Sequence, residues 1–158
     1  KTHTCWNESI WRDPLTETTI QRLLDNHYRP YHRRLNRLTE RPDLILAVDC
    51  HTMAAIGPPV GPDPGMERPQ VCLGNAKGQS CLHEWMMILH AAFQVYFPGV
   101  VTLNNPFSGG YTTSHHGSEI PWVQIELSRG DFATPRQKFE WVYTALAEAV
   151  SKISERKK

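Results

Sequence analysis

Apolar residues recur along the first third of the chain at the spacing of an α-helix. From Ile20 to Leu38 they follow one another at steps of three and four residues, which places them on one helix face. Thr16 is suited to cap the start of this helix. Pro30 falls inside the pattern, and we expect it to kink or split the helix near Arg29, because proline has no N–H to donate. Five arginines lie on the opposite face, which favours a solvated surface over an anion site.

Further along, short apolar runs alternate with longer amphipathic stretches. The predicted strands are residues 44–48, 71–73, 100–103 and 122–127, and the predicted helices that follow are residues 80–97 and 139–153. Because strands and helices alternate, we predict an α/β fold with a mostly parallel or mixed sheet flanked by helices. The first run is continuously apolar, which is typical of a strand buried on both faces.

Length and charge narrow the class of protein. The 158 residues predict a single domain spanning residues 1–158. Lys and Arg number 17 against 16 Asp and Glu, a net charge of +1, so we expect no nucleic-acid partner. No apolar run approaches the ~18 residues that cross a bilayer, so we expect no membrane partner.

The four cysteines form no C-x-x-C pair and no signal peptide is recognisable, which indicates reduced thiols and a cytoplasmic location. The oligomeric state stays open.

Two strands carry residues suited to chemistry. Asp49 and His51 follow the predicted strand 44–48, and side chains two residues apart on an extended chain point the same way. An imidazole there can bind a metal or act as a base, and a carboxylate beside it can orient the ring; a hydrogen-bonded histidine at a strand end is an equal alternative. Glu126 alternates with apolar residues in the last strand. It therefore faces either solvent or a site, where burial would suit it to general-base work.

The segment 104–120 is long, polar and rich in glycine, as functional loops in compact domains are. Within it, His116 and Glu119 have the H-x-x-E spacing that can bind zinc, although so short a pattern also arises by accident.

Six segments, taken together and in order, resemble the N-formylglutamate amidohydrolase family. They are 28–32 (YRPYH), 49–53 (DCHTM), 68–74 (RPQVCLG), 105–111 (NPFSGGY), 116–117 (HG) and 124–129 (QIELSR). The resemblance implies a zinc carboxypeptidase- and aspartoacylase-like fold, of the phosphorylase/hydrolase-like type. It also implies one zinc ion with histidine and carboxylate ligands, a zinc-activated water, and hydrolysis of N-formyl-L-glutamate to formate and glutamate. Two alternatives are kept: another N-acyl amino acid or peptide-like amide as the small-molecule substrate, and a non-catalytic domain of the same fold.

The resemblance also implies roles for individual residues of the strands. His51 is expected to bind the zinc, Asp49 to support that histidine, and Glu126 to take the proton from the zinc-bound water. The remaining zinc ligands are expected upstream of Lys1. The chain is therefore predicted to be the C-terminal portion of a larger catalytic domain, without its N-terminal part.

Other roles fall on the loops. The loop from Asn105 to His116 is expected to cover the substrate, with Asn105, Tyr111 and His116 in contact with it. Arg68 is expected either to hold a substrate carboxylate or only to form a structural ion pair.

Overall fold

The computed structural model describes residues 1–156, which form a four-stranded mixed sheet flanked by helices. The strands are β1 (Ala47–Met53), β2 (Val71–Gly74), β3 (Val101–Leu103) and β4 (Trp122–Ser128). Their order in the sheet is β1-β4-β2-β3. β1 is parallel to β4 and β2 is parallel to β3, whereas β2 and β4 are antiparallel. The predicted α/β class with a mixed sheet is confirmed.

The two faces of the sheet differ in character because side chains alternate along each strand. On one face, apolar residues of β2 and β4 join the core with residues of α3 (His83–Tyr96) and α5 (Pro135–Arg156). Phe93 of α3 is fully buried in this layer. On the other face, β1 and β4 carry their polar residues, so the functional side chains of these strands lie opposite the core.

The first helical segment is split, as the proline predicts. α1 (Glu17–Leu23) leads into a π-helical turn (Leu24–Tyr28), and α2 (Arg29–Thr39) begins just before Pro30. The N–H of Arg29 reaches back five residues to the carbonyl of Leu24. Thr16 caps α1 by accepting the N–H of Thr19. No side chain of α1, the π-helical turn or α2 is fully buried.

The prediction for the first strand was wrong in both position and burial. β1 begins at Ala47, and Asp49 and His51 lie inside it, not after it. The apolar residues Ile45 and Leu46 pack against the core before the strand starts. Within residues 1–156, β1 has a strand neighbour on one side only, and its residues 50–52 are exposed.

The predicted loop 104–120 contains a short helix, α4 (Tyr111–His116). It packs against β4, and its buried residues are Thr113 and His116. No helix within residues 1–156 is long and apolar enough to cross a membrane.

Candidate functional site

The register of β1 with β4 brings four polar side chains together on the face opposite the core. His51 is the partner of Glu126, and Asp49 is the partner of Gln124. His51 Nε2 lies 3.0 Å from Asp49 Oδ1, and Gln124 Nε2 donates to Glu126 Oε1 at 2.7 Å. The two strands therefore form a polar platform of Asp49, His51, Gln124 and Glu126.

Glu126 is the buried carboxylate of this platform. It is 8 % exposed, and burial raises its pKa above the ordinary value, with a smaller contribution from the negative charge of Asp49. The charge of His51, the hydrogen bond from Gln124 and the charge of Arg68 act in the opposite direction. A carboxylate in such surroundings is a stronger base than one in water.

A cavity of about 400 Å³ opens beside Glu126. Its lining includes Arg68, Phe107 and Arg129, together with part of the segment 57–65. A cavity of this size suits a small molecule. An arginine and a buried carboxylate that line one cavity suit a ligand with an anionic group and with its reacting bond next to a base.

Arg68 is largely committed to a structural ion pair. Its Nε and Nη2 atoms donate to the two carboxylate oxygens of Asp63, each at 2.7 Å, and its guanidinium lies 4.8 Å from the centre of the Phe107 ring. The paired guanidinium lowers the pKa of Asp63. Because Nε and Nη2 both donate to Asp63, this contact favours a structural ion pair as the role of Arg68. Its role in holding a substrate carboxylate stays a prediction.

Arg129 is a cavity residue to which the sequence analysis assigned no individual role. It directly follows β4, and it is exposed. Its Nη1 atom lies 3.3 Å from the Thr52 hydroxyl and 3.5 Å from the Thr52 carbonyl oxygen. The available signal was its place at the carboxyl end of a strand, where ligands of α/β sheets gather.

The loop between β3 and α4 lies directly on β2. Cys72 Sγ donates to the carbonyl of Phe107 at 3.2 Å. The N–H of Gly110 donates to the side-chain oxygen of Gln124. The loop therefore connects α4 to the polar platform and forms one wall of the cavity through Phe107.

We expect Gly74→Ala to detach this loop. A Cβ at Gly74 would lie 2.7 Å from the Ser108 carbonyl carbon and 2.8 Å from the Gly109 nitrogen, both of them backbone atoms. Relieving such overpacking costs about 1–3 kcal/mol of unfolding free energy, measurable by urea denaturation. The matched control is Gly61→Ala, whose added carbon meets its neighbours at 3.6 Å or more. Equal stability of the two variants would contradict the close packing described.

Asn105 lies outside the cavity of Glu126. It is exposed and lines a different depression with Gln70, Gly99 and Thr102. Its carbonyl accepts a hydrogen bond from the Thr102 hydroxyl, and its peptide bond to Pro106 is cis. The substrate contact of Asn105 stays a prediction.

Tyr111 and His116 belong to a separate aromatic cluster, where α4 meets the preceding helices. The Tyr111 hydroxyl accepts a hydrogen bond from the Tyr28 hydroxyl. His116 is fully buried, and its two ring nitrogens contact His32 Nδ1 at 2.7 Å and Glu119 Oε1 at 2.8 Å. The substrate-contact roles of Tyr111 and His116 stay predictions.

The surroundings favour the neutral form of the His32 imidazole. Burial lowers the pKa of His32, and the nearby charges of His116 and His115 lower it further, against the effect of Glu119. Hydrogen bonds from Thr39 and His116 lower the pKa of Glu119, although burial opposes them.

The residues around His51 do not by themselves complete a zinc site. Catalytic zinc takes three protein ligands. Within residues 1–156, the group of side chains placed to hold a metal is His32, His115 and His116. His51 is not in that group.

The family model described as N-formylglutamate amidohydrolase matches residues 1–132. The chain belongs to the N-formylglutamate amidohydrolase family. The segments 28–32 and 124–129, with the other four motifs, lie within this matched range. The resemblance drawn from the sequence is confirmed.

A solved structure shows the same fold. The crystal structure of N-formylglutamate amidohydrolase from Ralstonia eutropha JMP134 superposes with a TM-score of 0.69 at 19 % sequence identity. The match covers 91 % of this chain and 57 % of that one. The chain thus spans little more than half the length of that relative. No curated protein sequence matches the chain.

Proposed function

We propose that the protein hydrolyses the amide bond of an N-acyl amino acid, with N-formyl-L-glutamate as the first candidate substrate. The observation that carries the proposal is the pairing of His51 with the buried Glu126 on adjoining strands. Glu126 lies beside a cavity that also holds Arg68 and Arg129. Membership of the amidohydrolase family supports the reaction class.

In this reaction Glu126 is the base. Its carboxylate takes a proton from water as the water oxygen bonds to the formyl carbon. The carbon–nitrogen bond then breaks, and the protonated Glu126 returns that proton to the leaving amine. The products are formate and glutamate, and Glu126 is regenerated.

The carboxypeptidase-like, zinc-dependent form of this chemistry is part of the proposal. Zinc would supply a Lewis acid for the carbonyl and lower the pKa of a bound water. His51 would be one ligand, held in orientation by Asp49 at 3.0 Å. A cytoplasmic location agrees with the four free cysteines.

The decisive experiment measures formate release from N-formyl-L-glutamate by the purified protein, with and without added Zn²⁺. A coupled formate dehydrogenase assay reports the product. Stoichiometric formate and glutamate would support the proposal. Failure of the folded, metal-supplemented protein to cleave any member of a panel of N-formyl and N-acetyl amino acids would refute it.

A second substrate class is favoured by the wall of the cavity. Pro58, Val60, Gly61 and Pro62 line one side of it, so an acyl group larger than formyl could meet an apolar surface there. This supports the alternative of another N-acyl amino acid or peptide-like amide. A higher kcat/KM for N-acetyl than for N-formyl substrates would decide in its favour.

We expect Arg129→Met to weaken binding of an acidic substrate. Arg129 lines the cavity and carries an exposed guanidinium. A hydrogen bond to a charged group contributes about 1.5–3 kcal/mol, which corresponds to a ~10–150-fold rise in KM with a smaller change in kcat. Arg136→Met, on the exposed start of α5, is the matched control. An unchanged KM for Arg129→Met would remove this residue from the substrate site.

A further inference from the structure

Three imidazoles from two distant parts of the chain meet at one point. His32 comes from α2, and His115 and His116 come from α4. One ligand atom from each residue lies within 4.8 Å of the other two. The platform residues Asp49, His51 and Glu126 take no part in this group.

The innermost imidazole is held by a carboxylate. Glu119 Oε1 accepts the Nδ1–H of His116 at 2.8 Å, and Glu119 Oε2 accepts the Thr39 hydroxyl at 2.6 Å. With Nδ1 protonated, the lone pair of His116 is on Nε2, which faces His32. A carboxylate that orients a histidine in this way is the common support of metal-bound histidines.

The outer imidazole is also positioned by a neighbour. The ring of Tyr111 stacks on His115 with centroids 5.0 Å apart and planes 14° apart, and the Tyr111 hydroxyl lies 3.3 Å from His115 Nδ1. His116 is fully buried, His32 is half-buried and His115 is exposed. The cluster therefore has one side that is open to solvent and that an ion can enter.

The spacing of the ring nitrogens is close to what a metal requires. His32 Nδ1 and His116 Nε2 are 2.7 Å apart, a hydrogen-bond distance. Zinc–nitrogen bonds of about 2.0–2.1 Å at tetrahedral angles separate two ligand nitrogens by ~3.4 Å. An ion can thus replace the shared proton after a small side-chain movement.

We propose that His32, His115 and His116 form a binding site for one divalent transition-metal ion such as Zn²⁺, separate from the platform of His51 and Glu126. Imidazole ligands suit zinc, copper, nickel and iron. The ion would join α2 to α4. Because Gly110 at the start of α4 bonds to Gln124, it would also stabilise the loop that borders the Glu126 cavity.

The test is a metal titration of the purified protein, with no substrate present. Zn²⁺ binding is measured by competition with a chromophoric chelator, and Co²⁺ absorption reports nitrogen ligands in a tetrahedral field. We expect an ion at this three-histidine group, with an affinity that falls at least ~10-fold in His115→Ala and in His32→Ala. His83→Ala, an exposed histidine at the start of α3, should bind as the unsubstituted protein does.

Glu119→Gln adds a test that leaves the three ligands in place. Loss of such a supporting carboxylate lowers metal affinity by about 10–100-fold, whereas the exposed Glu155→Gln should have no effect. Circular dichroism establishes that each variant is folded. Three results would overturn the proposal: no stoichiometric binding by the folded protein, binding unaffected by both histidine variants, or binding lost in His51→Ala alone. The last result would instead support the zinc of the proposed amidohydrolase site.

Discussion

Replacing Glu126 with glutamine is expected to reduce amide hydrolysis by about 10²–10⁴-fold, the usual contribution of a general base. The amide keeps the size of the side chain but cannot take a proton from water. Substrate binding should change little, so the loss appears in kcat. The assay is formate release at saturating substrate, and Glu155→Gln, exposed near the end of α5, is the matched control. Full activity of the Glu126 variant would exclude Glu126 as the general base.

The pH dependence of the same reaction follows from the direction of the pKa shift. The reactive form of Glu126 is the carboxylate, so the rate falls as the pH drops through its pKa. Burial raises that pKa, and we expect the acid limb of kcat/KM to lie above the ~4.3 of an ordinary glutamate. An acid limb at or below the ordinary value would exclude Glu126 as the titrating base.

The contribution of Glu126 to stability should change with pH in the opposite direction to the reaction rate. Because the folded-state pKa of Glu126 is raised, the folded protein binds the proton more tightly than the unfolded chain. The protonated carboxyl favours the fold at low pH, and this stabilisation is lost as the pH rises through the folded-state pKa. Glu126→Gln should therefore melt above the unsubstituted protein at pH 8 and close to it at pH 4. A Tm difference independent of pH would contradict this linkage.

Truncating Phe93 to alanine should have the largest effect on the fold. Phe93 is 0 % exposed, and its ring stacks on Phe97 with centroids 5.8 Å apart. Removing a buried phenylalanine costs about 3–5 kcal/mol, through lost transfer energy and the cavity left behind. Because α3 and α5 pack over the sheet through this layer, the loss should appear in global unfolding.

The measurement is urea denaturation monitored by far-UV circular dichroism. Val95→Ala on the same helix is the matched control, because Val95 is 71 % exposed, and we expect it to change stability by less than ~0.5 kcal/mol. If Phe93→Ala does not fold, Phe93→Leu should still show a loss of about 1 kcal/mol. Equal midpoints for Phe93→Leu and Val95→Ala would show that this ring contributes little to the core.

Local patterns were sufficient for much of the fold and for part of the site. Pro30 predicted the split of the first helix because proline has no N–H, so a helical hydrogen bond is lost at its own position. The alternation in β4 placed Glu126 with Gln124, on the side opposite Ile125, because strand side chains alternate whatever the partner strand. Six short motifs together were enough to identify the family.

Predictions that depended on neighbouring strands or on partners succeeded less well. The run 44–48 looked like a strand buried on both faces, yet β1 starts at Ala47 and lies at an edge. Apolar residues report that a segment is buried, but hydrogen bonding to β4 decides where the strand begins and ends. Arg68 could not be assigned from its motif, because Asp63 takes two of its donors only in the folded chain.

By itself, the sequence determined the α/β class and the family. It also made His51 a candidate metal ligand and Glu126 a candidate general base. These follow from periodicity and from motifs within a few residues, where backbone geometry is local. Only the tertiary structure decided that His51 lies opposite Glu126, that Arg129 borders the cavity beside Glu126, and that His32 meets His115 and His116. His32 and His116 are 84 positions apart, and they meet only where α2 contacts α4 in the folded chain. The spacing of side chains along one element does not predict which other element it will contact.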